Sequence, residues 1–350
     1  LMNGESKNDE SKNDESKNIE LIIKTTPSNN NFKYNEYLSY LLHNHPKKKE
    51  IKLNPVRESV VCANKINGIL NLWEEGPGFE DRNTSTLQLI YKMDKKYNLS
   101  DFDTIYVHTG DHEHSAGHID YYYCYGRHFK ETFPDFNFMH WKNVGVFDYS
   151  KTVGEIRTKV DLSICEHMKV GWVGALNGSW HKRRVLYKLG KENPDILDIM
   201  NIGGWEVRPG NTHLIPGSCK YLSYVELAQK YAILIDIEGG GYSGRLKYLM
   251  HTGRPVIVVD RVPKEFFYPF MKPWEHYIPV ENDLCDLVEK TQWILDNYEE
   301  ASQIGANAKE FANQYLTLDY ALLHIKNLIE KKQAKTSKNK QKQAKISRNN

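Results

Sequence analysis

The stretch from Tyr231 to Arg261 constrains the chain more than any other. Six mostly apolar residues, Tyr231 to Asp236, read as a buried strand, and Gly239-Gly240-Gly241 ends it with a sharp turn, positive φ being open to glycine. Ser243 stands where it can cap a helix carrying Arg245, Lys247 and Leu249, and Pro255 to Asp260 returns as the next strand. Strand, glycine turn, helix and strand make one unit of an α/β fold. In that unit free amides and the positive end of a helix dipole converge on one spot, which suits a diphosphate. A plain structural turn needs glycine too. Arg245 tilts the reading toward a ligand, because a cation at a helix N-terminus is unfavourable unless an anion offsets it. Its charge-assisted bonds to phosphate are worth about 1.5–3 kcal/mol.

A second loop has the same character. Val170 to Ala175 (VGWVGA) is an apolar run followed by LNGSWHKRR, which offers Ser179, Lys182, Arg183 and Arg184 ahead of a helix ending near Lys191. This is anion-binding geometry again, and a basic surface turn is the plain alternative. Farther upstream Asp103 to His108 (DTIYVH) reads as a strand running into Thr109-Gly110-Asp111. Polar loops at strand ends are where open α/β sheets keep their chemistry, so Asp111 is a candidate base. His108, His112, His114 and His118 crowd the same segment with Glu113 and Asp120, and His112-x-His114 is a spacing that metal enzymes use. The aromatic stretch Tyr121 to Asp148 is mostly packing, with Trp141 as a candidate platform for a sugar or peptide acceptor. His276, in the aromatic loop before a last short strand, reads as structural. Asp283 reads as the cap of a helix through Leu295, with two more helices after it.

With 350 residues the chain has room for about two domains. Residues 1–18, built on a repeated ESKND pentad, read as a disordered leader. An N-terminal domain is expected over 19–165 and a C-terminal α/β domain with trailing helices over 166–330. The end, 331–350, holds eight basic residues and no acidic ones and reads as a disordered tail. Taking those eight from the net charge of +2 leaves the body at about −6, which is not the charge of a nucleic-acid binder. Five single cysteines without a CxxC pair argue against a disulfide framework or structural zinc. They point to a reducing compartment such as the cytoplasm, or to the secretory pathway if a leader has been trimmed. No apolar run approaches the length of a membrane span.

The order of the C-terminal half resembles the protein O-glucosyltransferase (Rumi-like) family, glycosyltransferase family 90, which includes capsule xylosyltransferases. The likeness runs through Lys230-Tyr231, the glycine turn with Ser243-x-Arg245, and FFYPFMKPWEHYIPVENDLCDL from Phe266 to Leu287, covering roughly 170–320. It implies a GT-B-like architecture, two Rossmann-like domains facing a cleft, and inverting transfer without a metal from a UDP-sugar, glucose or xylose, to a hydroxyl of a protein or glycan. By position it implies Asp111 as the catalytic base, Ser179, Arg183, Gly240, Gly241, Tyr242, Ser243, Gly244 and Arg245 on the donor side, and Trp141 on the acceptor side. Three features depart from the family pattern: Gly110-Asp111-His112-Glu113 replaces its phrase around the base, the segment around Ser179 is longer, and Gly244 stands where an aromatic often sits. Two other readings remain open at this point, a metal-dependent hydrolase built on the His108–His118 cluster and a nucleotide-sugar-binding protein without catalysis.

Overall fold

The computed structural model describes residues 59–75, 80–111, 119–126, 131–176, 181–203 and 219–349. Strand β1 (Val60–Ile66) turns back into β2 (Ile69–Glu75) through Asn67 and Gly68, whose φ values of 54° and 77° are both left-handed. An Asn-Gly pair favours this two-residue turn. Helix α1 (Glu80–Tyr97) follows, and β3 (Phe102–His108) pairs with the other edge of β1 to give the antiparallel order β2-β1-β3. The chain then runs through a long aromatic segment to helix α2 (Tyr149–Lys159), which Asp148 caps by accepting from the Lys151 amide at 2.8 Å.

The second half alternates strand and helix: β4 (His167–Gly174), α3 (His181–Glu192), β5 (Leu197–Asn201), α4 (Tyr224–Lys230), β6 (Tyr231–Asp236), α5 (Leu246–His251), β7 (Val256–Val259) and β8 (Ile278–Val280). These five strands form one parallel sheet in the order β5-β4-β6-β7-β8. Successive residues face opposite sides. Ile233, Ile235, Ile257 and Val259 pack with Leu186 and Ile294 on one face, while Leu234, Val256 and Val258 pack with Leu249, Phe266 and Phe311 on the other. The second of these clusters continues without a break through Phe138, Tyr149 and Val107 to Val61 and Leu72 of the N-terminal sheet. The α/β, GT-B-like class expected from the sequence is what the chain shows, with its parallel, Rossmann-like sheet in the C-terminal half. In the N-terminal half both neighbours of β1 run antiparallel to it, because the two-residue hairpin reverses β2 and the connection through α1 brings β3 in along that same reversed direction.

Three helices close the fold, α6 (Leu287–Asp296), α7 (Tyr298–Tyr315) and α8 (Leu318–Asn349). Asp283 does not cap α6; it accepts from the Cys285 amide in the turn ahead of that helix. Helix α8 runs back across the molecule onto the N-terminal sheet. Tyr121 Oη donates to the Leu328 carbonyl at 2.9 Å, and Lys332 Nζ reaches the Thr104 carbonyl at 2.8 Å. Its helical course through 331–349 differs from the disordered tail read from composition. Lysine, glutamine and alanine are good helix formers, and a helix already packed over its first turns extends without a new nucleation cost. Among the described residues, no helix is long and apolar enough to cross a membrane.

Candidate functional site

Within the parallel sheet β4 is the first strand in sequence, β5 lies to one side of it, and β6, β7 and β8 follow on the other. The chain therefore reverses its direction of travel between β4 and β6. In sheets of this order, ligands sit outside the carboxyl ends of the strands at that switch point. The loops after β4 and β6 are the two that carry Arg183 and the glycine run.

Arg183, in the first turn of α3, is laced between both loops. Its Nη1 donates to the Ala175 carbonyl at 3.1 Å and its Nε to the Glu238 carbonyl at 2.9 Å. Its neighbour Lys182 pairs with the Glu238 carboxylate at 2.8 Å. Arg245 enters from the other side. The guanidinium carbons of Arg183 and Arg245 lie 5.6 and 5.5 Å from the ring centroid of one indole, Trp172 on β4. That indole is buried and folds over Gly174, where a Cβ would lie 2.5 Å from the ring. Burial, and next to it the like charge of Arg245, push the Arg183 guanidinium down to about 9. Two cations held together with their positive charge under-compensated make a seat for an anion.

The glycine loop bends from Gly239, whose amide donates to the Tyr242 carbonyl at 3.3 Å, and carries the half-exposed Gly240 at its tip. A Cβ on Gly241 would stand 1.9 Å from the Asp111 carbonyl oxygen, so only glycine lets this loop lie against the residue read as the base. A Cβ on Gly244 would meet Asn137 Nδ2 at 2.3 Å and Trp141 at 3.0 Å. The loop thus touches Asp111 on one side and Trp141, read as the acceptor platform, on the other. Tyr242 packs its ring edge-on to Tyr123, with centroids 6.2 Å apart. Ser243 departs from its expected role. Its hydroxyl donates to Asp236 Oδ1 at 2.6 Å instead of capping α5, since a buried carboxylate needs every donor within reach. Helix α5 begins only at Leu246, with Arg245 at its N-cap and no side-chain cap bond.

Asp111 closes the site from the end of β3. Arg82 in the first turn of α1 holds its carboxylate by two bonds, Nη1 to Oδ1 at 2.8 Å and Nη2 to Oδ2 at 3.3 Å. A second set of polar residues lies beneath Gly244. Lys247 is fully buried between Asp135 at 3.2 Å and Glu265 at 3.0 Å, and also donates to the Gly244 carbonyl at 3.3 Å. Asn137 Nδ2 donates to Asp135 at 2.5 Å. Burial pushes the Glu265 carboxyl up to about 8, Lys247 opposing and Asp135 reinforcing the rise.

The structure therefore brings together Asp111, Trp141, Arg183, Gly240, Gly241, Tyr242, Ser243, Gly244 and Arg245. Ser179 lies outside the described residues, as do His112, Glu113, His114 and His118 of the alternative metal cluster. His108 is buried, its Nδ1 accepting from the Gly110 amide at 3.2 Å. Among the described residues no group of three His, Cys, Asp or Glu is arranged to hold a metal ion. Arg82, Trp172 and the Lys247 triad are additions that sequence reasoning missed. Their partners lie from 11 residues away, Arg183 for Trp172, to 112, Asp135 for Lys247, and no local motif marks the contacts.

Comparison with known proteins follows the same lines. The chain is 30% identical over 195 residues to protein O-glucosyltransferase 2 of Danio rerio, a match covering 53% of this chain and 39% of that protein. It is 30% identical over 148 residues to human protein O-glucosyltransferase 1, covering 42% of this chain and 38% of the relative. The matched region is under two fifths of the length of either. Among solved structures, Anabaena HepE in complex with UDP-glucose is similar at a TM-score of 0.36 and 11% identity, over 52% of this chain and 53% of that one. The model of glycosyl transferase family 90 matches residues 90–348. Spanning most of the chain and the site from Asp111 onward, that match shows that the chain belongs to glycosyl transferase family 90.

Proposed function

We propose that this glycosyltransferase moves a hexose or pentose, glucose or xylose, from a UDP-sugar to a hydroxyl of a protein or glycan, with inversion and without a metal. The observation that carries the reading is the meeting of Arg183 and Arg245 on Trp172 at the switch point of the parallel sheet, with the glycine loop reaching from there to Asp111. The two guanidinium groups bind the diphosphate and stabilise the charge that grows on it as the glycosidic bond breaks, the part a divalent cation plays at other sites. Asp111, 35% exposed at the opposite wall, takes the proton from the attacking hydroxyl. Such a base is worth about 10²–10⁴ in rate. Trp141, half-buried between Phe136 and Gly244, offers its ring as the floor of the acceptor side.

The test is a screen of UDP-glucose, UDP-xylose and other UDP-sugars for UDP release, with and without EDTA, on the wild type and on Asp111→Asn. Release that survives EDTA and disappears in Asp111→Asn, with UDP binding retained, supports the proposal. Equal turnover in Asp111→Asn overturns the base. Activity that EDTA abolishes overturns metal independence and returns attention to the histidines at 112, 114 and 118. Binding of UDP without release from any sugar would leave a nucleotide-sugar-binding protein.

A further inference from the structure

The geometry points to Arg82 as the positioning residue of the transfer, a guanidinium clamp that fixes the plane of the Asp111 carboxylate while leaving free the lone pairs that receive the acceptor's proton. This rests on the reading of Asp111 as the base.

Four observations carry it. Both carboxylate oxygens are engaged by separate nitrogens of one guanidinium, at 2.8 and 3.3 Å, so the carboxylate cannot rotate without losing a bond. The same Nη1 lies 3.4 Å from the Thr109 carbonyl, which ties the clamp to the backbone leading into Asp111. The guanidinium sits 5.1 Å from the centre of the Phe136 ring, which in turn meets Trp141 edge-on at 6.2 Å, so base and acceptor wall share one support. Finally the root of Arg82 is fixed by its neighbour Asn83, whose Oδ1 accepts from Ser59 at 2.7 Å and Thr109 at 2.6 Å.

A carboxylate offers about four acceptor sites, and the fork occupies two. One of the others receives the hydroxyl proton as the acceptor oxygen bonds to the anomeric carbon. The bond from that carbon to the diphosphate breaks, and UDP leaves with the electron pair. Arg82 exchanges no proton in this step. The gain from Arg82 is in aim. Misplacing a reacting group by about 1 Å costs on the order of 10²-fold.

UDP-glucose turnover, with water or an added acceptor, tests this in Arg82→Ala, Arg82→Lys and Asp111→Asn, alongside thermal stabilisation by UDP. We expect Arg82→Ala to lose about 10²-fold in kcat with the UDP-induced shift in Tm preserved, and Arg82→Lys, which keeps charge without the fork, to recover only part. Guanidinium ion added at non-denaturing concentration should restore Arg82→Ala at least tenfold and do nothing for Asp111→Asn. Turnover of Arg82→Ala within threefold of wild type overturns the inference. So does loss of the UDP shift together with activity, the mark of a purely structural pair, or absence of rescue. An active Asp111→Asn overturns the underlying base assignment instead, whatever Arg82 does.

Discussion

Gly241→Ala is the sharpest probe of how the two walls of the site meet. The added methyl would be built 1.9 Å from the Asp111 carbonyl oxygen, 2.8 Å from its carbonyl carbon and 3.2 Å from its Cβ. Ordinary contact begins near 3.4 Å, so the glycine loop and Asp111 must separate by roughly 1.5 Å. The atoms in the way are mostly main chain, and a rotamer change cannot relieve the clash. A shift of about 1 Å at reacting groups costs on the order of 10²-fold, and the expected loss of kcat for UDP-glucose turnover is at least that. Global stability should fall by about 1–3 kcal/mol, as for overpacking elsewhere, leaving a folded protein whose UDP-dependent rise in Tm is largely kept. Gly154→Ala in α2 is the control, since a Cβ there meets nothing within 4 Å. It should gain roughly 0.5–1 kcal/mol and keep full activity. A Gly241→Ala enzyme with wild-type kcat would refute the claim that the loop must lie against Asp111 during the reaction.

Two further outcomes follow from the same geometry. Arg183→Ala and Arg245→Ala should each weaken UDP binding by about 1.5–3 kcal/mol, roughly 10- to 150-fold, in calorimetric titration. Because both cations rest on Trp172, the double variant should depart from additivity, and strictly additive losses would mean that the two do not act on one anion. Glu265 titrates near 4.5 in an unfolded chain and near 8 in the fold, so between those values the folded state holds the extra proton. Stability should therefore decline as pH rises from about 4.5 to about 8, and Glu265→Gln should flatten the curve in that window. A Glu265→Gln variant with the wild-type slope in urea melts across that range would show that this carboxyl does not carry the proton.

The parts of this molecule that were legible in its sequence are those written in local order. The alternation of apolar runs with glycine turns gives β6, the loop and β7, the Asn67-Gly68 pair gives the hairpin, and the clustering of basic residues after VGWVGA gives Arg183. What stayed hidden depends on distance along the chain. Arg82 meets Asp111 across 29 residues and Lys247 meets Asp135 across 112. Ser243 was misread because local spacing favours a cap, whereas the buried Asp236 carboxylate outcompetes the helix amides for its hydroxyl. The end of α8 was misread because composition records solubility and says little about a helix already begun on a packed face.

Helix α8 leaves the C-terminal half at Leu318 and comes to rest on the N-terminal sheet, spanning roughly 48 Å at 1.5 Å per residue. A clam-shell opening of the two halves would have to bend this rod or lift it off Tyr121 and Thr104, and would also pull apart a shared apolar interior. Helix α8 thus works as a strap that holds the two halves of the fold in register.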